Sequence, residues 1–172
     1  MTLLSRCIAL LMLLTASVAW AEGRSNWVLF APKGPGFRVE LPGQPTVKNA
    51  DVKTTHGPAK ATFFYFKGEN GLEGMMEVRD YDKGKIKDAR GFLDEERNYH
   101  EARRKFRSES RFSFSGNPAQ KFVMDTVDGR IATVEQVIID DRFISVVCFV
   151  PMSQGRSADV ERIITSFALV KS

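Results

Sequence analysis

Helices set apart from runs of strands predict an α+β domain. The expected form is an antiparallel β-sheet of about seven strands with one long and one short flanking helix. Three observations carry this expectation. Between residues 88 and 106 apolar side chains recur at helical spacing, at Ala89, Phe92, Leu93, Tyr99, Ala102 and Phe106. On either side of that stretch apolar and polar residues alternate with period two. Turn-forming pairs such as Pro42-Gly43, Asp128-Gly129 and Asp140-Asp141 close these alternating runs at short intervals. A single domain is expected over 36–172, with no internal repeat and no low-complexity tract.

Residues 22–35 are polar and carry Pro32, Gly34 and Pro35, a flexible lead that Trp27 and Phe30 tack onto the body. Phe37 to Leu41 reads as a half-buried strand, stopped by Pro42-Gly43. Val47 to Thr55 reads as a polar edge strand closed by His56-Gly57-Pro58. In Ala61 to Phe66, Phe63 and Tyr65 point one way and Phe64 and Phe66 the other, which predicts cover on both faces. Gly68, Gly71 and Gly74 mark a loop before a strand from Met75 to Tyr81. The long helix is expected from Asp88, its N-cap, to about Phe106. Acids such as Asp94 and Glu95 lead it, and Arg103, Arg104 and Lys105 end it, in the order that complements the helix dipole. Gly91 weakens its first turn. A meander follows: strands around Phe112–Phe114 and Phe122–Met124, then Ile131–Ile139 and Phe143–Val150, the last ended by Pro151. Ser157 caps a short helix whose Val160, Ile163, Ile164 and Phe167 fall on one face. The core is expected to hold Phe37, Val39, Phe64, Phe92, Tyr99, Phe122, Val146, Ile163 and Phe167.

The first 21 residues speak to address. Arg6 precedes an apolar run from Cys7 to Leu14, which leads to Ala19-Trp20-Ala21. A positive start, a short apolar core and a small-x-small end are the parts of a secretory signal peptide, cleaved after Ala21. The run is too short to serve as a mature membrane span. An exported chain, most simply periplasmic, is expected to start at Glu22. The 151 residues left can bury roughly 70% of the unfolded surface in one core. Only Cys148 then remains, so an intrachain disulfide is ruled out, and its apolar neighbours read as a buried thiol. Net charge falls from +4 to +3 with Arg6 gone, which does not suit a nucleic-acid binder.

The sequence carries no catalytic constellation, and the expectation is a protein that is not an enzyme and uses no cofactor. His100-Glu101 opens like a zinc-protease helix, but Arg104 stands where the second histidine is needed. Glu96 and His100, one turn apart, read as an exposed helix pair rather than a metal site. Ser113-Phe114-Ser115-Gly116 lacks the first glycine of a nucleophile elbow. The glycines at 68, 71 and 74 are followed by a strand and no Lys-Ser/Thr, which excludes a phosphate loop. Two clusters stand out as binding features. Arg97, Arg103, Arg104, Lys105, Arg107 and Arg111 form a basic group that could dock on acidic lipid or an acidic partner. Phe63, Phe64, Tyr65 and Phe66, facing Met75 and Met76 across a glycine loop, could line an apolar pocket.

Three local patterns resemble a known group. They are Phe37-x-Val39-x-x-Pro42-Gly43-x-Pro45, then Gly116-Asn117-Pro118-Ala119 before a strand, then Arg162-Ile163-Ile164-x-Ser166-Phe167-x-Leu169. In that order, with a long helix between, they resemble small exported bacterial proteins of the PsbP-like fold, over roughly residues 37–170. The patterns are turns and core positions, so they speak to fold more than to function. PsbP itself is an extrinsic subunit that docks on a membrane photosystem from the lumen. The resemblance implies a non-catalytic accessory or binding protein acting on a cell-envelope partner. The alternative is a carrier of a small apolar ligand in the aromatic and methionine-lined region.

Overall fold

The computed structural model describes residues 26–34, 36–101, 105–155 and 157–170. The stretch read as a signal peptide, and Arg103 and Arg104, lie outside them. The chain is α+β. Seven antiparallel strands form the main sheet: β3 (Thr46–Thr54), β4 (Gly57–Lys67), β5 (Glu73–Asp80), β6 (Phe106–Phe114), β7 (Asn117–Asp125), β8 (Arg130–Ile139) and β9 (Arg142–Pro151). Their spatial order is β3-β4-β5-β9-β8-β7-β6, so β5 pairs with β9 and joins the two meanders. A second, three-stranded sheet is made by β1 (Val28–Phe30), β2 (Phe37–Leu41) and β10 (Ala168–Leu169). The helices are α1 (Ala89–Glu101) and α2 (Ala158–Ser166), the latter preceded by a 3₁₀ turn at Met152–Gln154.

Alternation along the strands divides the core between the two faces of the main sheet. On one face Phe64, Phe66, Met76, Ile144, Val146 and Cys148 pack under the small sheet and α2. On the other, Phe92 and Leu93 of α1 pack on Ala59, Tyr81, Ile138 and Phe143. Phe122, Met124, Ala132 and Val134 make a third cluster beside it, on the same face. The two covers are offset, and α1 shields only part of its face.

Each helix is held for a reason that can be named. Asp88 caps α1, its Oδ1 accepting from the amides of Arg90 (3.1 Å) and Gly91 (3.0 Å). Gly91 has a use here: a Cβ would lie 2.5 Å from Asp88 Oδ2, in the space the capping carboxylate fills. The Asp141 carboxylate accepts from the amides of Gly84 (2.7 Å) and Ile86 (2.8 Å), fixing the loop that leads into α1. Those two bonds hold its pKa below the usual carboxylate value. Ser157 caps α2 by accepting from Val160, as expected. Ser166 Oγ accepts from the Glu40 amide at 2.9 Å and ties α2 to β2.

Several expectations change. Phe37–Leu41 belongs to the small sheet rather than the main one. Val28–Phe30, inside the stretch read as a flexible lead, pairs with it as a strand. Trp27 lies under the Arg162 guanidinium at 4.1 Å, and Phe30 packs on Phe37 and Phe64. The long helix is described only to Glu101, and Phe106 opens β6 instead of ending a helix. Its first turn holds no acid. Tyr99 is a correction: it is 63% exposed and not core, because that helical position faces away from the sheet. The other eight expected core residues are buried.

Candidate functional site

Strand pairing shows where the expected binding residues go. In β4 and β5, Phe64 stands opposite Met76 and Tyr65 opposite Met75. Since successive side chains alternate faces, the six aromatic and methionine residues split in two. Phe64, Phe66 and Met76 are buried in the core beneath the small sheet. Phe63, Tyr65 and Met75 lie on the opposite face, on the part that α1 leaves open, so all six cannot line one pocket. The expected cover on both faces of β4 is also incomplete there, as Tyr65 is 42% exposed. Glycine decides the packing on the core side: a Cβ on Gly74 would come within 2.1 Å of the Phe66 ring.

The open part of the face is a shelf of apolar side chains. Phe63 and Tyr65 stack with ring centroids 6.1 Å apart. Met75 pairs with Val147, and the next position on β9 facing the same way is Phe149. All but Tyr65 are half-buried. The rim is a chain of ion pairs. Lys67 reaches Glu73 at 2.8 Å, Glu73 reaches Arg130 at 3.0 Å, and Arg130 reaches Asp128 at 2.7 Å. The Arg130 guanidinium also lies 4.7 Å over the Phe149 ring. Glu73 and Asp128 are held below the usual carboxylate values, Glu73 first by Lys67 and Asp128 first by the Thr126 hydroxyl. The result is an aromatic and methionine surface with a locally neutral edge.

Three described arginines of the basic group are each paired with a carboxylate. Arg97 donates to Glu109 at 2.6 Å and lies over the Phe106 ring, Arg107 donates to Asp125 at 2.5 Å, and Arg111 pairs with Asp94 at 2.7 Å. Lys105 is exposed. Arg103 and Arg104 fall outside the described residues.

Sequence reasoning missed a charged cluster beneath α1. Arg79, on β5, is only 6% exposed. Glu96 of α1 clamps it with two hydrogen bonds of 2.9 and 2.8 Å, and Glu77 stands 3.1 Å from its Nε. Arg79 also donates to the Tyr81 hydroxyl and lies 4.1 Å over the Phe143 ring. Burial works against the guanidinium charge, but Glu96 and Glu77 outweigh it and raise the pKa. Glu77 is raised, because burial exceeds the pull of a guanidinium that Glu96 already occupies. His56 stacks on Phe92 at 3.7 Å, with its ring nitrogens 3.6 and 3.8 Å from Glu95 and Glu96. Glu96 is therefore not half of an exposed pair with His100, whose ring packs near Phe122. The one signal in sequence is the Glu77-x-Arg79 pair, two opposite charges that alternation places on one face of the strand.

As for chemistry, the serines at 113 and 115 end β6 and enter the Ser115-Gly116 turn. Cys148 is fully buried and burial pushes its thiol up to about 12, a poor nucleophile. Among the described residues no three His, Cys, Asp or Glu side chains gather as metal ligands.

Comparison of the sequence with protein-family models and with curated proteins finds no match. Among solved structures, the fold is similar to cyanobacterial PsbP of Synechocystis sp. PCC 6803. The TM-score is 0.50 at 11% identity, covering 90% of this chain and 98% of that one. The chain has a PsbP-like fold. At that identity the likeness speaks to fold alone.

Proposed function

We propose that this is an exported, periplasmic accessory protein without catalytic activity. It docks on a protein partner in the cell envelope through the open shelf of the main sheet. The observation that carries the reading is the run of Phe63, Tyr65, Met75, Val147 and Phe149, left partly exposed beside a locally neutral rim. Aromatics and methionine are enriched at protein interfaces, and a charge-balanced rim suits a contact that buries apolar area. The signal-like residues 1–21 support the address. No helix among the described residues is long and apolar enough to cross a membrane.

A photo-crosslinking residue placed at Tyr65 in cells tests this directly, with Val47 on the exposed edge strand as control. The expected result is a discrete protein adduct in the envelope fraction from position 65 and none from 47, lost on Phe149→Glu. The purified protein should also begin at Glu22 by intact mass. Equal adducts from both positions, or none, would overturn the docking surface. A small molecule co-purifying in its place would support the carrier reading. Retention of residues 1–21 would overturn the export.

A further inference from the structure

Behind the sheet, on the face opposite the shelf, a cavity of about 380 Å³ lies between β6–β9 and the start of α2. Its apolar lining includes Val123, Ile131, Val150 and Val160, and its charged lining is Lys121, Glu161 and Arg107, the last already paired with Asp125 at 2.5 Å. Glu135 adjoins it. Its Cα pairs directly with Lys121 across β7 and β8, and it lies two residues beyond Thr133 on the same face. Glu135 is only 6% exposed, and among the described residues neither its side chain nor that of Lys121 makes a hydrogen bond or an ion pair. The carboxylate oxygens are not sealed off either, since the unpartnered polar atoms that are fully enclosed belong to His56 and Arg79. Burial pushes this carboxyl up to about 7, against the pull of Lys121 and with the repulsion of Glu161.

A largely buried carboxyl group whose oxygens still open outward, with no partner within the chain, asks for an explanation. Here an ammonium and a carboxyl group are cross-strand neighbours, yet each is left without a partner above an apolar floor. A lone cation in solution would be repelled by Lys121, and a lone anion by Glu135 and Glu161. A molecule with both charges close together, and a short apolar body, answers every part of the lining. We propose that this cavity binds a small zwitterion, a free α-amino acid with an aliphatic side chain. Its carboxylate meets Lys121, its ammonium meets Glu135 and Glu161, and its side chain lies on Val123, Ile131 and Val160. The volume falls within the range of small-molecule sites, where a few placed polar groups orient an otherwise apolar contact.

Titration calorimetry of the mature protein with L-leucine tests this beside two analogues, isovalerate without the ammonium and isoamylamine without the carboxylate. Leucine should bind, and each analogue should bind at least tenfold more weakly. Lys121→Met and Glu135→Gln should each weaken leucine at least tenfold while retaining the native circular dichroism. Should either variant unfold, amide NMR shifts on the wild-type protein give an independent reading. On adding leucine they should centre on Thr133, Ser157 and Val160. The proposal is overturned by no heat and no shifts up to about 10 mM leucine. It is equally overturned by an analogue that matches leucine, by folded variants that bind unchanged, or by shifts centred elsewhere.

Discussion

Glu135 and Cys148 sit on the same face of adjacent strands, and burial raises the pKa of both. The Glu135 carboxyl, raised from an ordinary 4.5 to about 7, binds its proton more tightly folded than unfolded. Stability from this group is full below pH 4.5 and is lost as pH rises from there through 7, because the unfolded chain releases this proton first while the native state still holds it. Integrated over that interval the effect is roughly 3 kcal/mol, with Glu77 adding in the same direction. Urea unfolding from pH 5 to 8 should show wild-type stability falling, and Glu135→Gln should flatten the fall. A parallel slope in the variant would assign the pH dependence to other groups. Cys148, with its thiol at about 12, should resist a bulky maleimide when folded and react once unfolded. Cys148→Ala should cost roughly 1–2 kcal/mol through lost transfer and a small cavity, and Cys148→Ser more, since a hydroxyl there gains no evident partner.

At the scale of elements, α1 is the most informative case. It docks through Phe92 and Leu93, and its grip on the sheet is polar as well. Arg90 donates to the carbonyls of Ala119 (3.0 Å) and Phe112 (2.9 Å). The Gln120 amide donates to Leu93 O and to Gln136, both at 2.7 Å. Glu96 clamps Arg79 from above. Removing one partner of a buried pair leaves an uncompensated charge, so Glu96→Ala should destabilise by roughly 3–5 kcal/mol. Pairing Glu96→Ala with Arg79→Met removes both charges and should recover part of that loss in a double-mutant cycle. Chemical denaturation gives all four stabilities. Simple additivity would show that the clamp adds no coupling of its own. Tyr99→Ala, on the outer side of the same helix, should change stability little, in contrast with the core residue Phe92.

Across the whole molecule, the sheet order sets what is firm and what is open. β9 and β8 stand at the centre, paired on both sides and covered by side chains on both faces. β3 and β6 form the two edges, and their outward charges, Lys48 and Lys53 on one and Arg107 and Arg111 on the other, discourage edge-to-edge association. Native-state hydrogen exchange should therefore find the slowest amides in Val134–Ile138 and Ile144–Cys148, and the fastest strand amides in β3 and β6. Equal protection at centre and edge would contradict this layering. The offset between the two covers places both proposed surfaces, since each lies on a part of the sheet where one of the covers stops.

Much of this architecture is legible in the residues themselves. Period-two runs, turn pairs and the helical spacing at 89–101 are local signals, so the strands other than Val28–Phe30, Ala168–Leu169 and the start of β6, both caps and the core positions other than Tyr99 follow from them. The α+β class and the PsbP-like resemblance rest on the same local features. Tertiary structure alone decides which elements meet. Nothing local told Phe37–Leu41 that it would leave the main sheet to pair with Val28–Phe30. The alternation of Phe63 to Phe66 divides them between two faces, but only the short reach of α1 determines that one face stays open. Arg97, Arg107 and Arg111 of the basic group are paired with Glu109, Asp125 and Asp94, at least twelve positions away along the chain, which no charge count along it can register. Arg79 meets Glu96 only once α1 is laid on the sheet, and Lys121 and Glu135 become neighbours only through the register of β7 on β8. Periodicity is a property of the backbone that each residue reports by itself, whereas a binding surface depends on distant side chains that only the completed fold brings together or leaves uncovered.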